Sequence, residues 1–308
     1  MARMSRMVVT GGAGFIGSHL CRRLVSEGHE VVAIDNLSSG MRENVAPEVK
    51  FIHADLADAK ACVGLGDGAD VVFHLASHVG QELSFENPEC DLRSNILGTA
   101  NVITWCRATG STRLVLASTM NVYGDPVDAS VAVTEASLLQ PPSPYAVGKI
   151  ASENLLDVYR PMGLMSSALR LFNVYGPGQD MANLKQGMVS IFMSYVAEGR
   201  PIAVRGSGDR FRDFINVRDV VDAFCLTAEL GANGVFNVSR CEMTTVEQLL
   251  KVIIEAFGYS VDDYPLEFQQ GTPQDQFGLF GNSDRLRNLG WAPSVELRDG
   301  IQEMAEWV

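Results

Sequence analysis

The stretch Met7-Val8-Val9-Thr10-Gly11-Gly12-Ala13-Gly14-Phe15-Ile16-Gly17-Ser18-His19-Leu20 decides how this chain is read. Met7-Val8-Val9 is a short apolar strand, Thr10 to Gly14 is a turn that needs glycine, and Phe15 to about Glu27 reads as a helix. Gly11, Gly14 and Gly17 fall three apart across the strand-to-helix join. A turn this tight, and close backbone approach to a pyrophosphate, both require positions without Cβ. The helix N-terminus then presents free N–H groups and a positive dipole end to phosphates. A second strand, Glu30–Asp35, ends at an acid 18 residues beyond Gly17. Strand, glycine turn, helix and acid-tipped strand together predict a dinucleotide site. An acid at the place of Asp35 accepts both ribose hydroxyls and repels a 2′-phosphate, so the expected cofactor is NAD. Arg42 speaks for NADP, but it lies deep in the loop that follows.

Strand and helix go on alternating. Apolar runs at 49–53, 70–75, 113–117 and 166–171 read as strands, and 91–109 and 145–159 as long helices. Short, near-continuous apolar strands separated by helices predict an α/β fold: a doubly wound, mostly parallel sheet covered on both faces. After Phe172 the pattern loosens into a Gly-, Pro- and Asn-rich stretch, 173–183, with further helices at 186–198, 220–230, 245–257 and 297–308. Thr244 is the expected N-cap of the third of these. The reading is a dinucleotide-binding domain over 1–171, to which 213–238 returns. A smaller substrate domain is expected from 172–212 and 239–308.

The 308 residues are 46% apolar and 20% charged, as in a well-packed globular protein. A net charge of −13 disfavours nucleic acid and acidic lipid as partners. The six cysteines form no CxxC pair and no metal-like spacing, so reduced thiols, a cytoplasmic setting and no metal site are expected. No stretch has the form of a signal peptide or the length of a membrane span.

Tyr145 and Lys149 are four apart at the start of a helix, in PSPYAVGK, and so share one face. An ammonium beside a phenol is expected to lower the phenol pKa, letting tyrosine take a proton from a hydroxyl as hydride leaves the same carbon. Lys149 also suits the cofactor's nicotinamide ribose. Ser118 and Thr119 follow a strand at its C-terminal end, where parallel sheets place their sites, and one of them is expected to hydrogen-bond the reacting oxygen. Asp55-Leu56, after the third strand, suits an acid near the adenine amino group with an apolar neighbour beside the ring.

The chain resembles the extended short-chain dehydrogenase/reductase family, and within it the nucleotide-sugar epimerases and dehydratases. The resemblance covers essentially the whole chain. It rests on TGGAGFIGSHL (10–20), DNLSSG (35–40), HLAS (74–77), NILGTANV (95–102), STMNVYG (118–124), YAVGK (145–149), LFNVYGPGQ (171–179), GSGDRFRDFINVRDV (206–220) and LGW (289–291). It implies a Rossmann-type fold. It also implies NAD contacts from Gly11, Gly14, Phe15, Ile16, Gly17, Asp35, Asn36, Gly40, Asp55, Leu56, Leu75, Ala76, Ser77, Tyr145 and Lys149. Thr119 becomes the hydroxyl partner of Tyr145. Asn173, Asn183, Leu184 and Arg212 become contacts to a nucleoside diphosphate, with Asp213 packed behind Arg212. A homodimer through a four-helix bundle near 91–109 and 145–159 is also implied.

Departures from the family pattern bear on the reaction. Ordinary 4,6-dehydratases carry an Asp-Glu pair directly after the hydroxyl residue; here Met120 and Asn121 stand there. His78 follows HLAS where relatives have other residues. Gln269, Gln270 and Thr272 partly replace an Arg-x-Gly-Asp segment, which leaves Arg212, with Arg210, to grip phosphate. Leu279 falls near the residue walling the C2 side of the sugar in 4-epimerases, and its middling size admits a UDP-N-acetylhexosamine. STMN and DQFG are similar to the hexosamine 5,6-dehydratases of tunicamycin biosynthesis. The leading expectation is therefore a UDP-N-acetylglucosamine 5,6-dehydratase of antibiotic biosynthesis, acting through transient C4 oxidation with NAD regenerated. The alternative is a UDP-hexose or UDP-N-acetylhexosamine 4-epimerase. His78 and Glu82 are the available candidates for a C5 base.

Overall fold

The computed structural model describes residues 4–78, 81–183, 187–271 and 276–308. In chain order the first elements are β1 (Arg6–Thr10), α1 (Phe15–Ser26), β2 (Glu30–Asp35), β3 (Lys50–His53), α2 (Ala59–Val63), β4 (Val71–His74), α3 (Gln81–Glu86), α4 (Pro88–Leu92), α5 (Gly98–Thr109), β5 (Arg113–Thr119), α6 (Pro144–Tyr159) and β6 (Met165–Leu171). Then come β7 (Asn173–Tyr175), α7 (Met188–Ala197), β8 (Ile202–Arg205), β9 (Phe211–Arg212), β10 (Phe214–Asn216), α8 (Val217–Glu229) and β11 (Gly234–Val238). The chain closes with β12 (Thr244–Thr245), α9 (Val246–Ala256), β13 (Leu266–Gln269), β14 (Gly278–Leu279), α10 (Asp284–Arg287) and α11 (Leu297–Trp307).

Seven strands form a parallel sheet in the order β11-β6-β5-β4-β1-β2-β3. The order reverses between β1 and β4, and the crevice beyond the C-terminal strand ends at such a point is where α/β sheets bind ligands. Val8 pairs with Val32 on one side and Val72 on the other, so the centre of the sheet is apolar throughout. A core of Val8, Val32, Ile34, Val72, Ile103, Leu114, Leu116 and Leu156 joins these strands to α5 and α6.

Two compact units emerge. One comprises Met1–Val122, Pro141–Arg170 and Val221–Phe236; the other comprises Tyr123–Gln140, Leu171–Val220 and Asn237–Val308. Segment 123–140 thus groups with the second unit, and the return to the first begins at 221 rather than 213. The second unit has its own core, in which Tyr175, Phe192, Met193, Ile202, Leu250, Ile253 and Met304 pack together. The late Trp291 is tied there: its indole N–H donates to the Asp219 carbonyl at 2.9 Å. The carboxylate of Asp219 in turn accepts from Ser294 and Val295.

Two local readings of the sequence need correction. The helix expected over 91–109 is interrupted by a wide π-type turn at Arg93–Leu97, flanked by α4 and α5. Within it the Asn95 carbonyl accepts from the hydroxyls of Thr99 and Ser152, competing partners that periodicity does not reveal. The N-cap of α9 is Thr245, not Thr244. Thr245 forms a reciprocal capping box with Gln248, while Thr244 pairs with Arg212 in a short antiparallel ladder.

Candidate functional site

The glycine turn is tight for internal reasons at two of its three positions. A Cβ on Gly11, whose φ is 69°, would lie 2.7 Å from the Ala76 nitrogen, and one on Gly17 would lie 2.1 Å from the Gly11 oxygen. Gly14 is different. Its nearest protein neighbour is the Gly11 oxygen at 3.2 Å, so the space above it is open to a ligand. Gly14 caps α1 without a side-chain acceptor, and the first turn of α1, with Phe15, Ile16 and Gly17, has no acid. Those backbone donors suit phosphate oxygens.

Asp35 is almost fully buried at the end of β2. Its Oδ2 accepts the Ala13 N–H at 3.0 Å and its Oδ1 the Leu37 N–H at 2.8 Å. Each oxygen keeps lone-pair capacity for a ribose hydroxyl. Arg42 stacks over the Phe51 ring, 4.8 Å from its centroid. Gly40 rests on the turn, where a Cβ would meet the Ala13 carbonyl carbon at 2.9 Å. Asn36 and Asp55 are exposed; each accepts a backbone N–H two residues on. Leu56 packs into the sheet core. Leu75 and Ala76 are anchored to Thr10, and the Ser77 hydroxyl donates to Asn95 Oδ1 at 2.6 Å. Open backbone at Gly14, unclaimed helix donors and an acid-tipped β2 fit NAD.

The chemical residues meet at the C-terminal end of β5. The Ser143 hydroxyl accepts the Ala146 N–H, and Pro144 opens α6, which puts Tyr145 and Lys149 one turn apart. Thr119 hydrogen-bonds the Tyr145 phenol. The Lys149 ammonium donates to the Ala117 carbonyl at 2.9 Å and stands 5.9 Å from the Tyr145 ring centroid. Thr119, Tyr145 and Lys149 are thereby brought together. Met120 is buried and Asn121 half-buried in the short turn that follows Thr119.

The electrostatics differ from the sequence expectation. Burial pushes the Tyr145 phenol up to about 12, against the Thr119 hydrogen bond, and Asp91 adds to the rise. Burial pulls Lys149 down to about 8, opposed by Asp91 and Glu153. Desolvation disfavours the charged form of each group, and at both sites it outweighs the opposing hydrogen bond or charges. His74, fully buried between the hydroxyls of Thr10 and Thr99, is lowered to about 3 by burial, so it is a neutral hydrogen-bonding ring.

Several polar residues of this site escaped the sequence reading. Glu153 pairs with Arg170 at 2.7 Å, both buried, and accepts from the Ser118 hydroxyl. Ser118 is therefore tied to this pair and Thr119 alone faces Tyr145. An arginine inside the apolar run of β6 was the available signal, since a buried charge demands a partner. Asp91 is fully buried, and its Oδ1 accepts from Asn95 at 2.8 Å.

The second unit holds the remaining candidates. Asn173 Nδ2 donates to the Asp213 carbonyl at 2.9 Å. Asp213 lies fully buried beside Arg212, accepts the N–H groups of Arg240, Cys241 and Gly281, and is pushed up to about 7 by burial. Arg212 donates to the carbonyls of Phe211 and Phe277. Leu279, buried, is its register partner on β14. Arg210 directs its guanidinium to the carbonyls of Ser207 and Arg205, closing its own loop. Asn183 is half-buried; Leu184, Thr272 and the side chain of Glu82 lie outside the described residues. Among the described residues no cluster of His, Cys, Asp and Glu could hold a metal, and no helix is long and apolar enough to cross a membrane.

Known proteins resemble the chain along its whole length. A UDP-glucose 4-epimerase of Mycolicibacterium smegmatis is 36% identical over 312 residues, covering 98% of each chain. The structure of UDP-glucose 4-epimerase from Thermotoga maritima with UDP-glucose superposes with a TM-score of 0.92 at 33% identity, covering 98% of each chain. That of a UDP-N-acetylglucosamine 4-epimerase from Methanobrevibacter ruminantium in complex with UDP-N-acetylmuramic acid gives 0.92 at 30% identity, covering 99% of this chain and 98% of the other. Residues 7–239 match the model of the NAD dependent epimerase/dehydratase family, and the chain belongs to that family.

Proposed function

We propose that the protein is a 4-epimerase of a UDP-hexose or UDP-N-acetylhexosamine. The observation that carries this reading is the Thr119–Tyr145–Lys149 cluster followed by two neutral residues, Met120 and Asn121. Such a site handles a proton at one carbinol oxygen but lacks, in that turn, the acid and base that elimination of a neighbouring hydroxyl requires. Full-length 4-epimerase relatives support the same choice, so the 5,6-elimination favoured by sequence alone becomes the second reading.

Bound NAD supplies the two-electron acceptor and donor of the cycle. Tyr145 takes the C4 hydroxyl proton and returns it once the keto sugar has presented its other face. Thr119 holds the C4 oxygen against the phenol. The Lys149 ammonium, fixed by Ala117, favours the phenolate that burial opposes. Asn173 and Arg212 are assigned to the nucleoside diphosphate, and Leu279 to the C2 side of the sugar.

The second reading rests on the likeness of the STMN motif to 5,6-dehydratases. Proton NMR of the product from UDP-galactose and UDP-N-acetylglucosamine decides. A C4-inverted sugar is expected; an exocyclic methylene signal overturns epimerisation in favour of the 5,6-ene. Tyr145→Phe is expected to lower turnover about 10²–10⁴-fold with NAD still bound. Full turnover by that variant removes Tyr145 from its role. A homodimer is also proposed, through the exposed apolar residues Leu92, Leu97, Val147 and Val158 on α4 to α6. Sedimentation of the chain as a monomer at micromolar concentration would exclude it.

A further inference from the structure

Asp91 has no part in the chemistry assigned above, yet it is a carboxylate with no solvent exposure. Its Oδ1 accepts from Asn95 and lies 3.6 Å from His78 Nδ1, while its Oδ2 and that ring nitrogen have no hydrogen-bond partner among the described residues. His78 is three-quarters covered and is the only one of the three with an edge to solvent. The cluster abuts α6 where the working lysine sits: a Cβ on Gly148 would lie 3.1 Å from Asn95 Cβ, and Ser152 donates to the Asn95 carbonyl.

Lys149 needs a counterion. It is buried, and its ammonium is bonded to the neutral carbonyl of Ala117. The charged and titratable groups around it are Asp91 from α4, Glu153 one turn along α6, and His74 at the end of β4; Tyr145 shares its face of α6. His74 is neutral and, where charged, would oppose the ammonium. Glu153 is matched by Arg170 and by the Ser118 hydroxyl. Asp91, whose charge reaches Tyr145 as well as Lys149, and which lies against His78 and Asn95, has no arginine partner among the described residues, whereas Glu153 has one.

We propose that Asp91, shielded from solvent by His78, is the fixed countercharge of Lys149 and a positioning residue for the proton transfer at Tyr145. The carboxylate of Asp91 favours the charged ammonium inside a site where burial opposes it, and His78 covers Asp91 on its solvent side. Burial raises the Asp91 carboxyl and His78 opposes that rise. The inference rests on the assignment of Lys149 and Tyr145 as working residues under the proposed function.

The test is a pH titration of the Lys149 13Cε resonance in the NAD-loaded protein, identified by its loss in Lys149→Met. Lys149 is expected to titrate near 8, and Asp91→Asn to move that midpoint down by about one pH unit. The alkaline limb of the turnover profile should move with it, because a lysine with a lower pKa loses its proton at lower pH. His78→Gln should give a smaller shift in the same direction. Asp91→Glu, which retains the charge, should hold the midpoint near the unmodified value. An unchanged midpoint in Asp91→Asn overturns the proposal, even where turnover falls, since lost packing alone does not move a lysine titration. If Asp91→Asn does not fold, an unchanged midpoint in His78→Gln overturns it. If the midpoint shifts but the unmodified protein turns over no UDP-hexose, the countercharge stands and the proposed function falls.

Discussion

Gly14 and Gly17 are the same residue type in one motif, but they are glycines for different reasons. A Cβ at 17 collides with the backbone of Gly11, whereas one at 14 meets a single atom, the Gly11 oxygen at 3.2 Å, and is otherwise open. Gly17→Ala is therefore expected to destabilise the protein by about 3 kcal/mol or more, read as a fall in thermal midpoint. Gly14→Ala should leave that midpoint within a degree or two while weakening NAD affinity about tenfold, measured by calorimetry. Spacing alone exposes the motif but not this division of labour, because the collision partner of each Cβ comes from a folded turn. The same limit applies at the chemical centre. Tyr145 and Lys149 are legible as a pair from their spacing, and Thr119 from its strand end. How deeply the phenol is buried, and that Asp91, 54 residues away in sequence, adds to the resulting rise, are visible only in the fold.

Among elements, those with one strong local cause were read well from sequence and those with competing causes were not. The strands of the main sheet are short apolar runs with no rival conformation, and they appear within a residue or two of their expected bounds. The turn at Arg93–Leu97 was not foreseen, because it is held by side-chain hydroxyls and amides of residues that helical periodicity treats as neutral. The start of α9 shows how a local rule is refined. Thr244 and Thr245 are equally good capping types, and the choice is made by Gln248 standing three residues beyond Thr245. Thr245→Ala should cost about 1 kcal/mol of stability by urea titration, and Thr244→Ala a few tenths. Equal costs would contradict the capping box.

At the scale of the whole molecule, the composition and alternation already implied an α/β chain with a second, looser unit. The path between units was harder to see. Segment 123–140 belongs to the second unit although it lies between β5 and α6 of the first. Its polar, proline-containing sequence reads as an ordinary loop, and only contacts such as the Asn237 N–H to Glu135 at 2.8 Å reveal where it is bound. Because neither unit is a continuous stretch, each depends on chain supplied after the other has begun.

The edge strand β11 makes that dependence directional. It is the outermost strand beside β6, and more than 60 residues separate the two in sequence. During synthesis the nascent sheet therefore emerges from the ribosome with β6 as an open border, offering unpaired N–H and C=O groups to any other extended chain. Closure waits until residue 238 has cleared the exit tunnel. A chain stopped at residue 230 should accumulate as aggregate when expressed, and one extended to 240 should show less, as scored by the fraction left in the supernatant. Equal partition of the two would mean that the border is guarded before its last strand arrives. Ribosome pausing ahead of that point would lengthen the exposed interval, so synonymous codon choice within 172–233 becomes a determinant of yield for this protein.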